Sequence, residues 1–168
     1  TDPTTNHTAL VDPAWEFNTI KTTIDSNQLI PTAIYLTHTH FDHLNALEEV
    51  LKTYPKLPLF VSELSTSKLS LYKELLVGLP NKGELTLGET KVTHFHTPGH
   101  SPDGQCFYIK PHLITGDTLF VNGCGRCDLE GSNPEEMYNS LLKICDLPNE
   151  TIIYPGHNYD KLDKWGLP

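Results

Sequence analysis

The stretch Thr37-His38-Thr39-His40-Phe41-Asp42-His43 places the tightest limit on what this chain can fold into. Three imidazoles and a carboxylate fall within six positions, directly after the apolar run Ala33-Ile34-Tyr35-Leu36. That run follows Pro31 and is rich in β-formers, so it reads as a buried strand. Beyond the cluster, Leu44, Leu47, Val50 and Leu51 recur at the spacing of a helix running from Leu44 to Lys52. The cluster therefore sits on the turn between a strand and a helix, where four polar side chains can be aimed at one point. Imidazole with carboxylate suits a borderline divalent cation such as zinc, and this many donors on one short turn suggest two ions. A single histidine would be read as an ordinary polar loop residue. Four ligand-type side chains in six residues at a strand end argue against that reading.

The rest of the chain alternates strands with helices, which predicts an α/β architecture in one domain spanning residues 1–168. Ala9-Leu10-Val11 reads as a strand, and meeting it so early implies a partner strand upstream. Asp12-Pro13 has the form of a helix start, Asp as N-cap and Pro at the first position, with Phe17, Ile20 and Ile24 on the buried face. Leu57 to Val61 is a further strand, and Lys68 to Val77 is read as helical. Gly83 to Gly88 resembles a hairpin, followed by alternating strands at Lys91 to His96, Gln105 to Ile109 and Leu113-Ile114. Asn133-Pro134-Glu135-Glu136 opens a helix with Met137, Leu141 and Ile144 inward, and Thr151 to Tyr154 is the last strand.

Charge and cysteine usage narrow the function classes. Twelve Lys and Arg stand against 21 Asp and Glu, a net charge of −9, which repels phosphate backbones and argues against a nucleic-acid partner. No apolar run approaches the ~20 residues of a membrane span, and no secretory leader is recognisable. The four cysteines, Cys106, Cys124, Cys127 and Cys145, are too few and scattered for a disulfide scaffold, so a reducing, cytoplasmic setting is expected. Cys124-Gly-Arg-Cys127 has the spacing of a redox or zinc knuckle, but a closed zinc site needs two further ligands, and a loop-packing role is the preferred reading.

Three more sites repeat one pattern, in which a strand ends, a turn residue follows and a ligand-type side chain appears. They are Thr97-Pro98-Gly99-His100, Thr115-Gly116-Asp117 and Tyr154-Pro155-Gly156-His157. Each would bring its side chain to a strand end, where the loops of a layered protein gather a site. Together with the first cluster, in this order, they resemble the metallo-β-lactamase-fold hydrolases over about Ala9 to Asn158. Gly116-Asp117-Thr118-Leu119-Phe120 with Gly123-Cys124-Gly125-Arg126 is similar to the glyoxalase II-like branch, which includes hydroxyacylglutathione hydrolases, persulfide dioxygenases and polyketide-pathway zinc hydrolases. The stretch Gly123 to Gly131 looks closest to the last group and its bacterial relatives.

The resemblance implies an αββα sandwich with a two-metal site at one edge, lacking its N-terminal strand in the sequence given. It implies that His38, His40 and His100 hold one zinc ion, that Asp42, His43 and His157 hold the other, and that Asp117 bridges them. Asp42 is taken also as the catalytic carboxylate. Two such ions lower the pKa of a shared water and present hydroxide to a carbonyl, and a thiolate leaves with little acid assistance. The expected activity is cleavage of a thioester, either a small-molecule acyl-glutathione or a carrier-bound acyl group. The C-terminal helical segment with which glyoxalase II grips glutathione has no counterpart before Pro168, which leaves the thiol carrier open. A second activity within the same resemblance is a persulfide dioxygenase with one Fe2+ on His38, His100 and Asp117. A non-catalytic metal-binding module is the third reading, and metal content with an Asp117→Ala variant separates the three.

Other residues carry paired readings. Arg126 either faces an anionic substrate or braces its own glycine-rich loop. Tyr159 either reaches the substrate or lies on the surface. His94 and His96 share a strand face and are read as structural, with support of a ligand as the alternative. His7 and His112 are expected at the surface, and Asp103 on an exposed loop.

Overall fold

The computed structural model describes residues 1–159. Its elements in chain order are β1 (His7–Val11), α1 (Phe17–Ser26), β2 (Ile30–Tyr35), α2 (Leu47–Thr53), β3 (Leu59–Ser62), β4 (Leu76–Leu79), β5 (Lys82–Leu87), β6 (Thr90–His96), β7 (Gln105–Ile109), β8 (His112–Gly116), β9 (Leu119–Phe120), β10 (Gly123–Cys124), α3 (Pro134–Cys145) and β11 (Ile152–Pro155). One sheet is parallel, in the order β1-β2-β3-β4, and the second runs β11-β8-β7-β6-β5. In the second sheet β11 is parallel to β8, and the other neighbours are antiparallel. β9 and β10 form a separate two-stranded ribbon.

Three apolar clusters show how these elements stack. Ala33 and Tyr35 of β2 and Leu79 of β4 meet Leu87, Val92 and Phe107 of the second sheet. The rings of Tyr35 and Phe107 stack at 5.0 Å across that interface. On the opposite face of the first sheet, Ile34, Leu59 and Val61 pack with Leu47, Val50 and Leu51 of α2. On the outer face of the second, Cys106 and Leu113 meet Ile144 of α3. The layers are thus helix, sheet, sheet, helix, the αββα sandwich expected from the sequence. The run 33–36 is apolar without alternation because β2 is buried on both faces.

The sandwich brings every ligand-type turn to one edge. β1 and β2 are parallel, as are β8 and β11, and two antiparallel steps through β7 make β6 run the same way as β8. The chain leaves β1 at Asp12, β2 at Thr37, β6 at Thr97, β8 at Asp117 and β11 at Gly156, all at the same end of their sheets. Among the described residues no helix is long and apolar enough to cross a membrane.

Several local expectations are corrected. Asp12-Pro13 is not a helix start: Asp12 has φ +46°, its carboxylate is drawn to Thr37 and His43, and α1 begins only at Phe17. Ile24 is buried as expected, whereas Phe17 and Ile20 are half-buried. The helix after the first cluster starts at Leu47, because a 3-10 turn at Phe41–His43 comes between. Lys68 to Val77 is not a helix. It holds a 3-10 turn at Ser70–Tyr72 and then enters β4, where pairing with β3 outweighs the local helical spacing. The Asn133 start is as expected, with its Oδ1 accepting from the Glu135 and Glu136 amides.

Candidate metal centre

Seven ligand-type side chains converge at this edge in two groups. His38, His40 and His100 have ring nitrogens within 4.8 Å of one another, as do the ligand atoms of Asp42, His43 and His157. Asp117 stands between them. Its Oδ2 is 3.4 Å from both His100 Nε2 and His157 Nε2, and its Oδ1 is 3.2 Å from His43 Nε2.

The partners of the outer ring nitrogens fix which nitrogen of each ring faces inward. His100 Nδ1 is 2.9 Å from the Arg126 carbonyl, which can only accept, so the proton is on Nδ1 and Nε2 is bare. Thr37 Oγ1 donates to Asp12 Oδ2 at 2.6 Å and so accepts from His38 Nδ1 at 3.1 Å, leaving His38 Nε2 bare. His43 Nδ1 donates to Asp12 Oδ2 at 2.8 Å, turning Nε2 to the interior. The single Asp12 carboxylate, which also accepts from the Thr37 amide at 2.7 Å, therefore orients His43 directly and His38 through Thr37.

These assignments leave inward-facing lone pairs without hydrogens. His40 Nδ1 lies 3.0 Å from His38 Nε2 and 2.9 Å from His100 Nε2, and can place one proton between two bare nitrogens. One of those contacts stays unsatisfied. Asp117 Oδ1 is buried and accepts no hydrogen bond, being close to His43 but not aligned with it. A cation resolves both deficits, since nitrogens bound at ~2.1 Å to one tetrahedral ion stand ~3.4 Å apart. The donor set of imidazoles and carboxylates is that of a borderline divalent metal, and the residues fit such a group.

Electrostatics point the same way. Burial, reinforced by the charge of His43, drives the His38 pKa down to about 2, so this ring stays neutral and available as a ligand. Burial also lowers His40, with His100 adding to it. Burial opposes charge on His43 as well, but Asp117 and Asp12 flank the ring and hold its pKa up at about 10. Such a ring keeps a proton on Nε2, in the place a divalent cation would occupy. Burial pushes Asp117 up, yet His43, His38 and His157 outweigh it and the carboxylate stays below its ordinary range.

Two glycines admit this crowding. A Cβ at Gly156 would lie 2.5 Å from Asp117 Oδ1 and 2.8 Å from His43 Cε1. Gly116, at φ +49°, turns the chain out of β8 where a side chain would meet Thr37.

The other residues singled out in the sequence fall as follows. Arg126 is exposed and its guanidinium is held by Asp128, Nε to Oδ1 at 2.6 Å and Nη2 to Oδ2 at 2.7 Å, while its carbonyl serves His100. Tyr159 stacks on His157 at 5.3 Å between centroids and meets Phe120 edge-on at 5.1 Å. His96 Nε2 donates to the Pro102 carbonyl, and His94 is buried with its Nε2 against Gly83. His112 pairs with the Tyr154 hydroxyl at 3.2 Å. Cys124 and Cys127 belong to no ligand cluster among the described residues. Asp103 is not at the surface. It is 2% exposed because Thr39 and Ser65 close over it. A cavity of about 630 Å³ opens beside Asp42, His43 and His157 and runs past Val11, Tyr35 and Ile114.

Sequence reasoning missed Asp12, Thr37 and Asp103. The Asp12-Pro13 dipeptide carries a strong local signal for something else, and Asp103 shows none.

Comparison with known proteins agrees with this geometry. The model of the Metallo-beta-lactamase superfamily matches residues 3–157. The chain is 32% identical to the "Probable polyketide biosynthesis zinc-dependent hydrolase PksB" of Bacillus subtilis (strain 168), over 90% of this chain and 68% of that protein. It is 38% identical to the hydroxyacylglutathione hydrolase of Pectobacterium atrosepticum, over 92% of this chain and 58% of that enzyme. The chain thus spans about three-fifths to two-thirds of these relatives. Among solved structures, ETHE1 from Myxococcus xanthus superposes with a TM-score of 0.84 at 29% identity, over 94% of this chain and 68% of that one.

Proposed function

The chain belongs to the metallo-beta-lactamase superfamily, and on that premise we propose that it is a dinuclear zinc hydrolase that cleaves an acyl thioester. In this reading His38, His40 and His100 hold one ion, Asp42, His43 and His157 the other, and Asp117 joins them. The observation that carries the reading is the buried Asp117 side chain, whose two oxygens face histidines of both groups at 3.2 to 3.4 Å. When bound, such a pair of ions supplies Lewis acidity toward a carbonyl and a water made nucleophilic near neutral pH.

The chain's own residues then have separable tasks. Asp12, Thr37 and the Arg126 carbonyl hold the Nδ1 protons of His43, His38 and His100, which directs each Nε2 inward, bare on His38 and His100 and protonated on His43 until a cation takes the proton's place. Asp42 and His157 are partly exposed, with side chains 38% and 26% accessible, and they line the cavity an acyl group would enter. There Asp42 is placed to hold or pass a proton beside the reacting centre. A thiolate leaving group with a pKa near 8.5 needs no positioned acid, which favours thioesters over esters or amides. The names of PksB and hydroxyacylglutathione hydrolase support a zinc hydrolase and an acyl-thiol substrate respectively. Tyr159, stacked on His157, is placed to touch the substrate, whereas the Arg126 charge is satisfied by Asp128 and its task is to brace the loop.

The test is elemental analysis of the purified chain together with hydrolysis of acyl-glutathione and acyl-pantetheine thioesters. Two zinc ions per chain with thioester cleavage is the expected result. Two zinc ions without cleavage overturns the substrate class, and one iron with oxygen consumption replaces the reading by persulfide oxidation.

A further inference from the structure

Asp103 lies three residues after His100, on the turn that carries that ligand-type side chain, and is 2% exposed. Its Oδ2 accepts from the Thr39 hydroxyl at 2.5 Å and from the Ser65 hydroxyl at 2.7 Å. Its Oδ1 accepts no hydrogen bond and has the Lys68 ammonium at 3.9 Å, an ammonium that also donates to Thr39 Oγ1 at 3.3 Å. Thr39 sits between His38 and His40. One buried carboxylate therefore ties together the two chain segments that supply all three imidazoles of the first group.

We infer that Asp103 is a positioning residue for the first metal half-site, clamping the Thr39 tip of the first ligand turn against the His100 turn. The inference rests on the dinuclear reading above. Two features separate it from plain loop packing. A carboxylate sealed from water with one oxygen unbonded is costly, and hydroxyls or an amide would brace a loop at lower cost. The base of the same loop is already secured without Asp103, since the Gln105 amide donates to the Thr37 carbonyl at 2.9 Å and Gln105 Nε2 to the Leu36 carbonyl at 2.7 Å. What the carboxylate adds is placement of the tip, through Thr39 and the neighbouring Lys68. Its hydrogen bonds go to the Thr39 and Ser65 hydroxyls, and it acts on the imidazoles through Thr39.

The expected effect is confined to one of two metal-binding steps. The chain of residues 1–168, stripped of metal, is titrated with zinc against a chromophoric chelator, and the melting curve of each zinc-free form is recorded. Asp103→Ala and Thr39→Val should each weaken one step, the one belonging to the first half-site, by about tenfold, the low end of the range for groups that support a ligand without binding metal. The other step should move less than about twofold, within the scatter expected of an uncoupled site. Asp103→Asn keeps an oxygen for the two hydroxyls but loses the charge facing Lys68, and should restore only part of the affinity. Equal steps in wild type and in both variants overturn the inference. So does equal weakening of both steps together with a lowered melting point of the zinc-free form, which marks a structural role. Should Asp103→Ala fail to fold, Thr39→Val decides, because it removes one hydroxyl at constant volume. A wild-type chain that takes up a single zinc overturns the dinuclear reading instead, and the variants' effect on that one step still tests Asp103.

Discussion

The two halves of the candidate centre are built differently. In the first, His38 and His100 are buried, their outer nitrogens are held by Thr37 and by the Arg126 carbonyl, and the loops between them are tied by Asp103. In the second, only His43 is buried and held, by Asp12, while Asp42 and His157 stand partly open at the cavity mouth. The difference teaches a division of labour. Ligands preorganised from below give a tightly held ion, because little freedom is lost when the ion arrives. Ligands at the mouth can yield to an entering substrate and hold their ion less firmly.

Removing the residue common to both halves should have the largest effect. Asp117→Ala should lower thioester hydrolysis by about a thousandfold or more, as expected when a group joining two catalytic ions is lost, and should reduce bound zinc below one per chain. An Asp117→Ala variant that keeps two zinc ions and its rate would show that the halves do not share this carboxylate.

Single-ligand variants then separate the halves. His38→Ala should abolish the tighter zinc step and lower turnover by orders of magnitude, on the scale of a lost metal contact. His157→Ala should spare that step and lose the weaker one. Dialysis against a chelator should likewise remove one ion well before the second. If both ions leave together, or His157→Ala strips the tighter step, the contrast between the halves fails.

Asp12 is the residue that bridges the contrast. Asp12→Asn leaves one acceptor oxygen for the three donors that Asp12 serves, so His43 Nδ1 loses its charged partner and the ring is held in place less firmly. Zinc affinity at the second half should fall 10- to 100-fold, the usual range for loss of a ligand's hydrogen-bonding partner. The first half, reached only through Thr37, should change less. Zinc titration with rate measurements checks the order, and equal losses at both halves would make Asp12 a general brace.

This residue also shows where sequence reading stops. That the turns after β2, β6, β8 and β11 carry ligand-type side chains was legible, because a strand end is a local feature. The layered fold was legible for the same reason, through alternating strands and helices. Asp12 was misread because Asp-Pro is a sound helix-start signal, whereas its actual partners, Thr37 and His43, lie 25 and 31 residues away. Asp103 was misread as surface because its neighbours Thr39 and Ser65 lie 64 and 38 residues away. Val77 entered a strand against its local spacing because β3 was there to pair with it. A ligand-type side chain is visible in the residues themselves, but what orients it is written in contacts made only on folding.

The smallest expected effect tests how far the bracing of the first half extends. α3 packs against the His100 turn: the Asn133 amide donates to the Gly99 carbonyl at 2.7 Å and the Ser140 hydroxyl to the Pro98 carbonyl at 2.6 Å. Asn133 is also the helix N-cap, accepting from the Glu135 and Glu136 amides. Asn133→Ala removes the side-chain cap but keeps the backbone bond to Gly99. It should cost about 1 kcal/mol of stability, the usual worth of such a cap, and lower the melting temperature by about 2–4 °C for a chain of this size. Both zinc steps should stay within about twofold of wild type if the bracing ends at the loops, as independent sites do. A weakened first step with an unchanged second would extend the rigid support of that half into α3, and would make the helix part of what distinguishes the two.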